Sequence, residues 1–281
     1  FRLVVPSDVT LTAGALLRSP EEDRQNAPAR LSGSDLRIGS FNVLNYFTSH
    51  SSVGGALNVL CADQADADSA KGCNRGAKSL EEFQLQRAKI VNAITEMDAD
   101  LLGLMEMENN GFDEHAALHD LVEILNARQK EASKHYAFVT LPKALLTEDR
   151  FFGGDAIMVA MIYRPALLTP SGDAEVIRLP QQHYTTGGVA RSAGQRDSLV
   201  QRFGVAGSDE PLTLVVNHLK SKGSGCYENG DGKIEPADLQ GKCTEFRVSA
   251  AKVLGDAVSK MPGQVLLVGD FNSYAKEDPI R

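Results

Sequence analysis

The tetrapeptide Gly269-Asp270-Phe271-Asn272 follows the apolar run Val265-Leu266-Leu267-Val268 and so stands at the mouth of a buried strand. A carboxylate and an amide two residues apart on a strand project to the same side. A rigid strand end holds both near one small target. Three more apolar segments end in the same way: Leu36-Arg37-Ile38-Gly39-Ser40-Phe41 reaches Asn42, Leu101-Leu102-Gly103-Leu104-Met105 reaches Glu106, and Leu212-Thr213-Leu214-Val215-Val216-Asn217 delivers His218. Taken singly, each has a plain structural use. Asp and Asn form turns at strand ends, and a lone histidine on a buried strand is most often a satisfied core group. Four apolar strands that each present a hard-metal ligand or a titratable group read as one active site.

The elements that carry these residues are legible in outline. Phe1-Arg2-Leu3-Val4-Val5 is strand-like, and the polar, Pro-containing stretch from Ser19 to Pro28 follows it. Residues 1–35 therefore read as a linker or the tail of a preceding domain, with a compact domain over 36–281. A long loop covers 48–78. Ser79 with Glu82 three residues on is a capping-box pattern, and Phe83, Ile90, Val91, Ile94 and Met97 recur at helical spacing. A second helix is expected from Asp113 to about Lys130. Tyr136–Leu141 and Ala156–Tyr163 read as strands, the second apolar enough to be central. Residues 165–195 read as loop. Strands are expected over Ser198–Val205 and 212–217, then a helix from about Glu245 to Ser259 and a strand over 264–269. Strands outnumber helices and long connections part them, which predicts a layered α/β architecture.

Composition narrows the class. At 281 residues, 42% hydrophobic and 23% charged, the chain is ordinary for a globular protein. No apolar run approaches the roughly 18 residues of a membrane span. A net charge of -8 argues against nucleic-acid binding through a broad basic surface. It leaves room for a nuclease, because a divalent cation and a few local Arg and Lys offset phosphate charge at a cleft. The four cysteines form two local couples, Cys61 with Cys73 and Cys226 with Cys243, each closing a loop rich in Asp, Gly and Asn. Zinc is the competing reading, but neither couple has a ligand spacing of two to four residues or an accompanying His. Two loop-stapling disulfides are favoured, and with them an oxidising compartment and a secreted protein.

Ser40-Phe41-Asn42-Val43-Leu44-Asn45-Tyr46-Phe47, Gly103-Leu104-Met105-Glu106, Asn217-His218-Leu219-Lys220 and Gly269-Asp270-Phe271-Asn272 resemble the ordered motifs of the endonuclease/exonuclease/phosphatase superfamily. Flanking segments such as Arg75-Gly76-Ala77, Gln86-Arg87-Ala88-Lys89-Ile90-Val91, Met105-Glu106-Met107-Glu108-Asn109 and Ser221-Lys222-Gly223 are similar to its secreted bacterial extracellular nucleases. The resemblance implies a deoxyribonuclease I-like four-layer α/β/β/α sandwich with the site between two sheets. It implies Glu106 as principal ligand of Mg²⁺ or Mn²⁺, with Asn42 positioning the ion or its water. Asp270 would orient and deprotonate the attacking water, Asn272 would hold the phosphate, and His218 would contact the scissile phosphate as a general acid. Asp155 would orient His218 by accepting its second ring N–H. Arg196, with Arg191 as a rival, would contact phosphate, and Lys220 and Lys222 would line the path of the substrate. The family pattern continues past its Gly-Asp-x-Asn motif to a distal Ser-Asp-His segment, so the protein is expected to extend beyond Arg281.

A calcium loop is legible separately. Asn229, Asp231 and Asp238 fall at positions 3, 5 and 12 of the calcium-loop register, with Gly232 at 6 and Ile234 at 8. The segment resembles a dockerin-type loop, with Tyr227 where position 1 normally supplies Asp, and the expected Cys226–Cys243 bridge would enclose it. The expected protein is a secreted, monomeric, metal-dependent nuclease acting on extracellular DNA or RNA. Its rivals are a phosphodiesterase or phosphatase of the same fold acting on phospholipid or inositol phosphate, and a non-catalytic binding module.

Overall fold

The structure, a computed structural model, describes residues 36–48, 75–77, 79–186, 189–223, 226 and 239–281, all within the unit Asp35–Arg281. Residues 1–35, Cys61, Cys73 and the calcium register at Asn229, Asp231 and Asp238 lie outside the described residues. In chain order the elements begin with β1 (Ile38–Tyr46), α1 (Leu80–Met97), β2 (Leu101–Glu108), α2 (Ala117–Arg128), β3 (Ala137–Phe138) and β4 (Ile157–Tyr163). There follow β5 (Leu168–Pro170), β6 (Glu175–Ile177), β7 (Gln182–Thr186), β8 (Val189–Ala193), β9 (Ser198–Val205) and β10 (Leu212–His218). The chain closes with α3 (Thr244–Val258) and β11 (Gln264–Asp270).

Two mixed sheets result. The first has the order β1-β2-β4-β3, the second β11-β10-β9-β5 with β6 also paired to β9, and β7 and β8 form a separate hairpin. The pleat of β10 explains the layering. Leu214 and Val216 join the main core with β2 and β4, while Val215 joins a second core with Leu254 and Ala250 of α3. Helices α1 and α2 pack on the first sheet, so the layers run α/β/β/α, as the resemblance implied.

The sheets meet closely at Gly103, in the middle of β2. A Cβ there would lie 2.7 Å from Val268 Cγ2 and 2.9 Å from Val216 Cγ2. Two branched side chains of the second sheet therefore rest on bare backbone of the first. This contact brings the C-terminal ends of β1, β2, β10 and β11 to one place.

The opposite end of the first sheet is held by charge. Arg164, buried just after β4, donates from Nη1 to Asp100 Oδ1 at 2.9 Å and from Nη2 to Asp98 Oδ1 at 2.6 Å. Asp100 Oδ2 accepts from the Arg37 N–H at 2.8 Å. Asp98 caps α1 in a left-handed conformation (φ 47°), and at the other end Ser79 Oγ accepts from Glu82 N as expected.

Some elements depart from the sequence reading. Helix α2 starts at Ala117 because Asp113 turns back on His115 N, and Asn110 Oδ1 instead accepts from Ala117 N. The strand expected over 136–141 shrinks to Ala137–Phe138. The β7–β8 hairpin lies in what reads as loop, since Gln182-His183-Tyr184-Thr185-Thr186 has no apolar alternation.

Replacing a strand glycine by alanine normally gains about 0.5–1 kcal/mol of stability. At Gly103 overpacking costs about 1–3 kcal/mol and outweighs that gain. Urea denaturation of Gly103→Ala is expected to show a net loss, partly recovered in the double variant with Val268→Ala; a more stable single variant would contradict the close sheet contact.

Candidate active site

Two irregularities in β1 and β2 aim the site. Asn42 pairs with Met105, but the next pair is Tyr46 with Met107, so β1 holds two extra residues, and Leu44 and Asn45 take left-handed backbones (φ 55° and 52°). From α1, Gln86 Nε2 donates to the freed Leu44 carbonyl at 2.7 Å. On its other edge β2 passes from Leu104–Ala160 to Met107–Met158, one residue longer than β4, and Glu106 within that bulge has φ 65°. Bulges re-aim side chains, and a non-glycine residue in this region costs on the order of 1–3 kcal/mol unless its surroundings fix it. Here they do: Asn45 N donates to Glu106 Oε2 at 3.1 Å and Asn42 Nδ2 donates to Oε1 at 3.0 Å.

Asn42 joins the two sheets, because the same Nδ2 lies 3.4 Å from Asp270 Oδ2 on β11. Asp270 pairs with His218 across the parallel β10–β11 ladder. Gly269, just before it, has φ 139°, and a Cβ there would sit 1.9 Å from the Asn217 carbonyl oxygen. Only glycine fits that crossing. His218 Nε2 stands 4.0 Å from Glu106 Oε1. Asn42, Glu106, His218 and Asp270 thus converge, as their spacing on four strands predicts.

His218 is 3% exposed, and its Nδ1 has no hydrogen-bond partner in the structure. Burial, with the nearby charges of Arg196 and Arg75, lowers its pKa to about 3. At neutral pH it is a neutral imidazole, so the expected general-acid role has no imidazolium proton to draw on in the substrate-free protein. The expected Asp155–His218 hydrogen bond is absent. Asp155 Oδ2 instead accepts from Arg196 Nη1 at 2.9 Å, because a guanidinium outcompetes a neutral ring for a carboxylate. Arg196 also donates from Nε to the His218 carbonyl at 3.2 Å and from Nη2 to the Leu219 carbonyl at 3.1 Å. It braces the exit of β10, with three of its five N–H groups committed to protein rather than held out for a phosphate.

Asn272 also differs from expectation. The strand ends at Asp270, and Asn272 (φ 49°) donates its backbone N–H to Asp270 Oδ1 at 2.9 Å. Its Nδ2 donates to the Leu219 carbonyl at 3.0 Å, tying the exits of β10 and β11 together. Lys220 is half-buried, and burial with the Arg196 charge lowers its pKa. Lys222 pairs with Glu277 Oε1 at 2.5 Å. A cavity of about 800 Å³ takes in Asn42, Met105, Lys222, Asp270, Asn272 and Tyr274. Arg191 falls in β8, its backbone paired with Tyr184 in the separate β7–β8 hairpin. Cys226 and Cys243 form the expected disulfide, their Cα atoms 5.6 Å apart.

Several supporting residues were given no role by the sequence. Asn109 is fully buried and donates from Nδ2 to the Asp155 carbonyl at 2.7 Å and to the Phe152 carbonyl at 3.1 Å, fixing the loop that bears Asp155. Glu108, also fully buried, accepts from Thr48 N at 2.8 Å and anchors the exit of β1. Arg247 of α3 is fully buried and donates to Ser273 Oγ at 3.1 Å and to the Lys220 carbonyl at 3.2 Å, joining the loops after β11 and β10. Arg75 Nη1 lies 3.4 Å from Asn45 Oδ1, beside the residue whose N–H orients Glu106. The Glu108-Asn109 pair sits in the flank next to Glu106 and could have been found there.

Among the described residues no group of three or more His, Cys, Asp or Glu side chains is gathered for a metal. The donor set is two carboxylates and an amide. The amide's NH₂ faces both carboxylates, while its Oδ1 accepts from Leu44 N at 2.9 Å. A positive pole already lies between Glu106 and Asp270, and a hard cation suits the same oxygens. Turning the Asn42 amide over would add its oxygen to the set at the cost of the Leu44 contact.

The fold and site together define a two-sheet α/β protein whose strand ends gather acid, amide and imidazole groups. No family model matches the chain, and no curated protein does. Among solved structures it is similar to the human Nocturnin catalytic domain, with 16% identity over 87% of this chain and 66% of that one, at a TM-score of 0.46. It is also similar to an endonuclease/exonuclease/phosphatase from Bacteroides vulgatus (14% identity, 88% and 69% coverage, TM-score 0.46). A third is a humanized TDP2 from D. rerio (16% identity, 86% and 64% coverage, TM-score 0.44). These neighbours are endonuclease/exonuclease/phosphatase superfamily members, and the chain spans about two thirds of their length.

The depressed His218 pKa has a consequence for stability. Between pH 6.5 and about 3 the unfolded chain binds a proton at this site and the folded chain does not, so stability falls as pH drops through that window. The limiting slope is about 1.4 kcal/mol per pH unit. His218→Gln is expected to show a flatter acid limb than the native protein in denaturation series; parallel limbs would mean the imidazole is charged in the folded state.

Proposed function

We propose that this protein is a divalent-metal-dependent phosphodiesterase that cleaves nucleic acid, DNA foremost. The observation that carries the reading is the Asn42 amide between Glu106 and Asp270, with the His218 ring 4.0 Å from Glu106. Phosphodiester hydrolysis needs an oriented water, neutralised non-bridging oxygens and a stabilised leaving oxygen. Glu106 and Asn42 would hold Mg²⁺ or Mn²⁺, which leaves the Asp270 carboxylate for the water. When bound, such an ion supplies charge neutralisation at the phosphate and the leaving oxygen.

The chain's own groups account for the rest. Asp270 accepts the proton of the attacking water, oriented by the Asn272 N–H on its Oδ1. Neutral His218 donates an N–H to a phosphate oxygen, and the phosphate charge opposes the depression that Arg196 and Arg75 impose on the ring. Arg196 and Arg75 bring positive charge to the ring without a broad basic surface, in keeping with the net charge of -8. The Cys226–Cys243 bridge supports a secreted protein.

Plasmid DNA incubated with Mg²⁺ or Mn²⁺ is expected to be degraded, and EDTA to stop it. Glu106→Ala and Asp270→Ala should each lower the rate by on the order of 10²–10³. Sphingomyelin run in parallel should stay intact. Full DNA cleavage by both variants would show that the site lies elsewhere, and lipid cleavage without DNA cleavage would move the substrate class.

A further inference from the structure

We infer that Tyr274 forms a stacking subsite for a nucleobase flanking the phosphate bound at Asp270. The inference rests on the phosphodiesterase reading and deepens it by assigning a residue that reads the substrate class. Tyr274 is 64% exposed and is the only aromatic among the exposed large hydrophobic side chains of the described residues. It lies in the wall of the cavity that also takes in Asn42 and Asp270. It follows Asn272 by two positions, so the short link that sets Asn272 also sets the ring. An exposed aromatic is ordinarily an idle surface group, but this one is held in place.

Two contacts to Tyr274 and a third that links their partners hold it. Lys222 Nζ sits 4.4 Å from the ring centroid, Lys222 pairs with Glu277 Oε1 at 2.5 Å, and Tyr274 N donates to Glu277 Oε2 at 3.2 Å. Burial works to raise the Glu277 carboxyl, but the Lys222 hydrogen bond, the Tyr274 N–H and the Lys222 charge hold it below the usual range. Glu277 thus holds the backbone of Tyr274 and the ammonium that lies against its ring, so this arrangement is in place before any ligand arrives, which lowers the ordering cost of binding. The ammonium covers one ring face. At 64% exposure the residue still offers surface on which a flat base can stack. A quaternary ammonium headgroup is held by enclosing aromatic faces, and here a like charge already stands on one of them. The geometry thus favours a nucleotide over a choline phosphoester.

The test compares a short single-stranded oligonucleotide with an abasic strand of equal length, by calorimetry in EDTA so that no hydrolysis occurs. The native protein should bind the base-bearing strand more tightly by roughly 5- to 150-fold. Tyr274→Ala should erase that preference and Tyr274→Phe should keep it, with circular dichroism checking that both fold. The inference is overturned if the native protein does not separate the strands, if Tyr274→Ala still does, or if Tyr274→Phe loses the preference as fully as alanine. Preference for phosphocholine vesicles over either strand overturns it as well. Hydrolysis of bis(4-nitrophenyl) phosphate by the native protein, and its uptake of Mn²⁺, judge the phosphodiesterase reading separately. A protein that hydrolyses the ester but ignores the base loses only the Tyr274 subsite.

Discussion

The contact of Gly103 with Val216 and Val268 is the constraint on which the site depends. Facing sheets ordinarily stand about 10 Å apart, with interdigitated side chains filling the gap. At Gly103 the filling comes from one side only, and β2 approaches β10 and β11 more closely than two side-chain layers would allow. The groups at the strand exits inherit that spacing. The Asn42 amide spans from Glu106 on one sheet to Asp270 on the other only because the sheets converge beneath it. A bulkier residue at position 103 would part the carboxylates before it disturbed any residue of the site itself.

On that frame the local backbone is shaped against its own preferences. Leu44, Asn45, Glu106 and Asn272 all adopt left-handed conformations, and all four lie at or beside the strand exits. Such positions persist when surrounding bonds over-determine them. Gln86 donates to the bulged carbonyl of β1, Asn45 orients Glu106, and Asn272 ties two exits through Leu219. Arg196 and Arg247, both with guanidiniums turned inward to backbone carbonyls, hold the loop after His218 from two directions. The site owes more of its geometry to backbone bonding than to pairing among its own side chains.

Much of this was legible in the sequence because chemistry at strand ends leaves a signature. Asn42, Glu106, His218 and Asp270 each close an apolar run, and all four come together. The capped helix beginning at Ser79 and the apolar strand ending at Tyr163 were equally plain, since local pattern and burial agree there. What sequence could not give was the partner choice of side chains. Asp155 pairs with Arg196 rather than His218 because the segment leading into β9 puts a guanidinium beside it, and nothing local to either residue encodes that. The β7–β8 hairpin escaped because it carries no apolar alternation, and the two bulges escaped because an inserted residue looks like any other in a strand. Arg247 reads as one more helix cation until packing puts it at zero exposure.

The buried Arg164–Asp100 pair at the start of β2 bears on this irregularity. A strand that slips by one residue turns every side chain to the wrong face, and a bulge near a strand's exit could in principle be annealed away by such sliding. Asp100 is tied at once to Arg164 on the β4 side and to the Arg37 amide on the β1 side, so alignment is locked before the chain reaches Glu106. The misfit is thereby confined to the last residues of β2. A charge pair at the far end of the sheet, remote from any chemistry, keeps the carboxylate of Glu106 from being absorbed into a regular ladder.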